Sequence, residues 1–116
     1  MSKETPRPGS PVRGSRRGKP IMVLFDLLGR RWALGIIWTL ADGPKTFRAL
    51  QEHCDSVSPS VLNARLKELR ESGIVFRTDR GYALTDQGAQ LFSHLRPIGH
   101  WAISWAKSGG PDAEGR

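Results

Sequence analysis

Apolar residues along this chain fall into short runs whose period changes from one run to the next. After Pro20, the stretch Ile21, Met22, Val23, Leu24, Phe25, Leu27 and Leu28 is apolar on nearly every side and closes at Gly29, which predicts a short buried helix with a glycine stop. From Arg30 to Ala41, Trp32, Ile36, Ile37 and Leu40 return at helical spacing, and Gly43-Pro44 ends this second helix. Thr46 caps a short third helix that carries Phe47, Leu50 and Cys54, and Asp55-Ser56-Val57 supplies a turn. Ser58 then offers a cap and Pro59 suits a first helical position, so a fourth helix is predicted over Pro59 to Glu71, stopped by Gly73. Two short helices joined by a tight turn are the frame of a helix-turn-helix.

Beyond Ile74 the pattern changes to short extended pieces. Val75-Phe76-Arg77-Thr78 and Tyr82-Ala83-Leu84 flank Asp79-Arg80-Gly81, a combination that predicts a β-hairpin, or wing. Thr85 and Asp86 open a last helix in which Gly88, Leu91, Leu95, Ile98, Ala102 and Trp105 share one stripe. Pro97 lacks an N–H and crowds the carbonyl of Ser93, so a kink is expected there. The predicted class is mainly α with a small β-hairpin wing (α+β). Its expected organisation is a disordered basic tail at 1–19, a winged helix-turn-helix unit at 20–107 and a flexible end at 108–116.

On the helix from Pro59 to Glu71, a rotation of about 100° per residue puts Leu62, Leu66 and Leu69 on the core side with Val61 at the flank. Ser60, Asn63, Ala64 and Lys67 collect opposite, with Arg70 at the margin. Asn pairs well with adenine, Lys donates to guanine or phosphate, and Ala lies against a thymine methyl. Ser60, Asn63 and Ala64 are therefore the expected base contacts, with Lys67 serving base or phosphate. Backbone contacts are expected from Lys45, Thr46 and Arg48 at the start of the preceding helix. Ser58, Arg65 and Arg70 follow, and Arg77 and Arg80 reach from the hairpin.

Charge strengthens the case for a polyanionic partner. The formal net charge is +7, and residues 1–20 hold Lys3, Arg7, Arg13, Arg16, Arg17 and Lys19 against Glu4 alone. Such an arm either lies along phosphates, adding salt-sensitive affinity, or serves only for solubility. The single cysteine, Cys54, excludes an internal disulfide and a cysteine-based zinc site, which suits the reducing cytoplasm and nucleoid. The longest charge-free apolar stretch, Trp32 to Ala41, is well short of the ~20 residues a membrane helix needs. No cofactor is expected. His53, His94 and His100 have no metal-ligand spacing, and no phosphate-binding glycine loop or catalytic triad is visible.

In this order, five segments carry a family resemblance: Leu28-Gly29-Arg30-Arg31-Trp32; Gly43 to Leu50; Val57 to Leu69; Gly73-Ile74-Val75-Phe76-Arg77; and Tyr82 to Gly88. From about Ile21 to Ala106 the chain resembles the HxlR-type winged-helix regulators, relatives of the MarR regulators. The resemblance implies a bacterial transcriptional regulator, with repression the expected mode. It also implies a homodimer joined through its first and last helices, with two recognition helices about 34 Å apart on a palindromic operator of double-stranded DNA. Leu24, Phe25, Leu91, Leu95, Ile98, Trp101 and Trp105 would then form the subunit interface, or else internal core. Many such proteins place a Cys-Pro pair before the first helix, in some a sensor of oxidants, where this chain has Lys19-Pro20. The hairpin is also short and lacks a Pro-rich tip. A small apolar effector would find a cavity among Trp32, Trp38, Trp101 and Trp105, and His94 and His100 would make the dimer sensitive to pH. The competing readings are a winged-helix protein-interaction module and a non-specific architectural DNA-binding protein.

Overall fold

Local capping chemistry sets most element boundaries. The computed structural model describes residues 4–109. Its elements are α1 (Pro20–Leu28), α2 (Ala33–Leu40), α3 (Phe47–His53), α4 (Pro59–Glu71), β1 (Val75–Thr78), β2 (Gly81–Leu84) and α5 (Asp86–Lys107). The Thr46 hydroxyl accepts from Ala49 N at 3.1 Å to start α3, and Ser58 accepts from Val61 N at 3.3 Å to start α4, where Pro59 takes the first helical position. Between these helices Asp55 and Ser56 both adopt left-handed backbone, a conformation that small polar residues tolerate. Gln51 locks this turn by donating its side-chain amide to the Val57 carbonyl at 2.8 Å.

One boundary departs from the periodicity. α2 begins at Ala33, not Arg30, because Trp32 sits at φ 76° in the left-handed region, which a bulky side chain seldom occupies. The Gly29–Trp32 stretch is thus a sharp corner between α1 and α2, and the Arg31 guanidinium stacks over the Trp32 ring at 5.0 Å. α5 runs through Pro97 without ending.

Leu27, Ile36, Ile37, Leu40, Leu50, Leu62, Leu66, Leu69, Ile74 and Val75 form the buried cluster, completed by Cys54 and Tyr82. Full burial of such aliphatic side chains is worth about 1.5–3 kcal/mol each. β1 and β2 pair antiparallel, with Val75 opposite Leu84 and Thr78 opposite Gly81, so only Asp79 and Arg80 remain as the loop. The Thr78 hydroxyl organises that loop, donating to Gly81 O and accepting from Arg80 N. Lys45 and Tyr82 exchange two backbone hydrogen bonds, of 2.9 and 2.8 Å, which fasten the segment before α3 to the hairpin. Gly81 is required at this crossing: its φ is +119° and an added Cβ would lie 2.3 Å from Lys45 O.

Residues 4–19 carry turns, although their composition predicts none. Val12 and Ser15 exchange backbone bonds of 2.9 and 3.0 Å, and Gly9 N donates to Gly18 O at 3.0 Å. Polar partners on the α1–α2 corner and on α4 hold this arm. Arg30 donates to the Glu4 carbonyl at 2.9 Å, and the Thr5 hydroxyl donates to Glu71 at the end of α4. That bond, with Lys67 and Arg7 nearby, holds the Glu71 carboxyl below its ordinary range. Residues 1–3 and 110–116, including Lys3 and most of the end expected to be flexible, lie outside the described residues. Among the described residues no helix is long and apolar enough to cross a membrane, and no group of three or more His, Cys, Asp or Glu is placed to hold a metal.

Candidate nucleic-acid interface

The exposed side of α4 is defined by what its other side buries. Leu62, Leu66 and Leu69 are fully enclosed. The opposite face leaves Ser60, Asn63, Lys67 and Arg70 exposed, with Ala64 half-buried among them. Lys67 is tied only loosely, to Glu71 at 3.6 Å one helical turn away, and an exposed pair of this kind contributes little. The Ser58 hydroxyl is engaged in the cap and lies 3.4 Å from Ser60 Oγ, so both hydroxyls mark the N-terminal entrance of the helix.

At the start of α3, Thr46 is exposed and Lys45 half-buried, while Arg48 extends into solvent and approaches Glu52 at 3.9 Å. On the hairpin Arg77 and Arg80 are exposed, and Arg77 lies over the Tyr82 ring at 5.6 Å. The structure brings part of α4 and β1 together in a groove of about 640 Å³ lined by Lys67, Arg70, Glu71, Val75, Phe76 and Arg77. Phe76 is a groove residue that the sequence reading did not single out. It is 47 % exposed on a strand where the alternating pattern calls for a polar side chain, and Lys67, Arg70 and Arg77 line the same groove. That signal was present in the period-two register of the hairpin.

Arg65 is placed differently from the phosphate contact expected of it. Its Nε donates to Arg31 O at 2.9 Å and its NH1 to Glu68 Oε1 at 2.7 Å, so the guanidinium is turned into the protein. Helical rotation places Arg65 beside the leucines and Lys67 opposite them, and the buried Glu68 carboxylate and the Arg31 carbonyl then hold the Arg65 guanidinium inward.

The residues expected at a subunit interface divide into two groups. Leu91 and Leu95 pack against the protein's own core, and Leu24 is half-buried. Phe25, Ile98, Trp101 and Trp105 remain exposed, Trp101 at 63 %, with Trp101 and Trp105 stacked at 5.7 Å. Trp32 packs at the core, and Trp38 sits edge-on to Phe92 at 5.1 Å and against Gly99. None of the three cavities described is lined by a tryptophan. The more apolar cleft, about 610 Å³, lies between α1, the end of α4 and the start of α5, with Val23, Leu24, Leu27, Ile74 and Leu91 in its wall and Pro6 across it. Cys54 is buried at the end of α3, where desolvation and then the neighbouring Asp55 push its thiol up from the ordinary value.

Residues 27–109 match the family model described as HxlR-like helix-turn-helix. The chain is 36 % identical over 92 residues to the HTH-type transcriptional regulator YodB of Bacillus subtilis (strain 168), covering 73 % of this chain and 82 % of that protein. It is 34 % identical over 87 residues to the regulator YvaP of the same organism, covering 69 % and 81 %. Among solved structures, quinone-bound YodB superposes with a TM-score of 0.66 at 38 % identity, over 73 % of this chain and 97 % of that one. A MarR-family regulator from Enterococcus faecalis V583 shares the fold, with a TM-score of 0.67 at 24 % identity over 86 % and 97 % of the two chains. An exposed polar helix framed by a capped turn and a hairpin, in a chain matching these regulators over most of its length, has one reading: the chain belongs to the HxlR-like helix-turn-helix family of DNA-binding transcriptional regulators.

Proposed function

We propose that the protein is a sequence-specific repressor that binds a palindromic operator in double-stranded DNA as a homodimer, with α4 in the major groove. The observation that carries this reading is the face of α4, where Ser60, Asn63, Lys67 and Arg70 are exposed together above three buried leucines. Ser60, Asn63 and Ala64 meet base edges, and Lys67 meets base or phosphate. Lys45, Thr46, Ser58 and Arg48 hold the phosphates beside α3 and α4, while Arg70, Arg77, Arg80 and Phe76 follow the sugar-phosphate chain along the groove. Lysines and arginines in such numbers make affinity fall as salt rises.

Selection of duplexes from a randomised pool with the wild-type protein tests the reading and supplies the operator. Asn63→Ala is then expected to keep the fold and to lower preference for the selected duplex over a scrambled one by roughly tenfold to a hundredfold, the worth of one bidentate base pair contact. Lys67→Ala should weaken binding and reduce the salt slope by about one where it meets a phosphate. An unenriched pool, or an Asn63→Ala protein with undiminished preference, would overturn the assignment.

A YodB structure carries a bound quinone, and others are of its reduced and diamide-treated forms. In the present chain Lys19 precedes the first helix and the one cysteine is enclosed, so an apolar effector would be held by contacts alone, in the cleft walled by Val23, Leu27, Ile74 and Leu91. A buried thiol with a raised pKa reacts slowly. Intact-mass spectrometry after brief quinone treatment at neutral pH should therefore find no adduct on the native protein and one on the unfolded chain. A rapid adduct on the native protein would place Cys54 in the signalling chemistry.

A further inference from the structure

Glu68 is the one buried charged residue among those described, 6 % exposed, and it stands on α4 between the core leucines and the DNA-facing side. Its two oxygens are held separately: Oε2 by Arg30 NH1 and Oε1 by Arg65 NH1, both at 2.7 Å. Each arginine has a second attachment outside α4. Arg30 reaches Asp26 of α1 at 3.8 Å and the Glu4 carbonyl of the arm at 2.9 Å, and Arg65 Nε donates to the Arg31 carbonyl at 2.9 Å. Two cations and two carboxylates thus join α4 to the corner between α1 and α2, the corner at which Trp32 is forced into left-handed backbone.

Such a network is poorly suited to supplying stability, since withdrawing its charges from water costs as much as their attraction returns. It is well suited to fixing geometry. A leucine seam tolerates small rotations and slides of a helix, whereas two charge-assisted bonds to one carboxylate, one on each oxygen, allow a single rotation and a single axial position. We infer that Glu68, gripped by Arg30 and Arg65, is the positioning residue that sets the rotation and depth of α4 and so decides which base edges Asn63 meets. The inference rests on α4 being the recognition helix. Because Arg30 also holds the arm and α1, a displacement of either alters the same grip.

The test replaces the whole network with apolar residues of similar volume (Asp26→Leu, Arg30→Met, Arg65→Leu and Glu68→Met together), an exchange that leaves no charge stranded. Binding is measured to the duplex enriched by wild-type protein and to a scrambled duplex. The expected result is a melting temperature no lower than that of the wild type, unchanged affinity for the scrambled duplex, and preference for the selected duplex reduced by at least about tenfold, one base contact's worth. Undiminished preference in this stably folded variant would overturn the inference. Should it fail to fold, Arg65→Lys decides in the same assay: it keeps the charge, loses the fork that joins Glu68 to the Arg31 carbonyl, and must lower preference more than it lowers scrambled-duplex affinity. If it lowers both equally, or neither, the inference is again overturned. A wild-type protein that enriches no sequence would refute the DNA-reading role of α4 itself, a different outcome from either.

Discussion

Gly88→Ala is expected to lower the midpoint of thermal unfolding by more than about 10 °C, on the basis of about 4–8 °C per kcal/mol for a domain of this size. Gly88 is buried in the first turn of α5, and a Cβ there would lie 2.1 Å from the Ile74 carbonyl oxygen. The obstacle is backbone, and that carbonyl already accepts from Thr85 N at 3.0 Å, while the Thr85 hydroxyl donates to Gly73 O at 2.6 Å. To admit a methyl group α5 must lift away from the start of β1 and loosen these bonds. Overpacking of about 1–3 kcal/mol then adds to hydrogen bonds worth about 0.5–1.5 kcal/mol each. Gly35→Ala is the control. It also stands within a helix, but nothing lies within 4 Å of its added Cβ, so the substitution should raise stability by about 0.5–1 kcal/mol. Thermal melts followed by circular dichroism measure both; equal small effects of one sign would refute the close approach of α5 to β1.

Trp101→Glu is expected to convert the proposed homodimer into a monomer while leaving that monomer folded. Trp101 is 63 % exposed and Ile98 58 %, so neither contributes much to its own subunit's core. Ile98, Trp101 and Trp105 share one side of α5, with Trp101 and Trp105 stacked at 5.7 Å, an apolar stripe of the kind that a second copy covers. Large aromatic residues at the centre of an interface cost about 2 kcal/mol or more when lost. A two-fold interface contains the residue twice, so dissociation should strengthen by roughly a thousandfold. Operator binding falls with it, since two linked recognition helices gain from effective concentration and two free ones do not. Sedimentation equilibrium gives the mass. A dimer that survives the substitution would move the interface off this stripe.

Local chemistry made the frame legible. Thr46, Ser58 with Pro59, and Thr85 are each a cap that acts within three residues, and α3, α4 and α5 begin immediately after them. The period of the leucines in α4 separated its two faces for the same reason: one helix turn is enough to define a side. Where a boundary depended on remote partners the pattern failed, as at Trp32, whose left-handed backbone no spacing announces. The pairing of Lys45 with Tyr82 was equally hidden, because it joins segments far apart in the chain.

The order of elements, the helix-turn-helix and the polar face of α4 were legible from the residues alone, since capping, turn formation and periodicity act between near neighbours. Which cations are drawn into the protein depended on the fold as well. Arg65 and Glu68 are neighbours on one helix, but the Arg31 carbonyl that takes the Arg65 Nε and the Arg30 guanidinium that takes the other Glu68 oxygen come from 34 and 38 residues away. A charge pairs with whatever the fold brings within a few ångströms, and that proximity is not written in spacing along the chain.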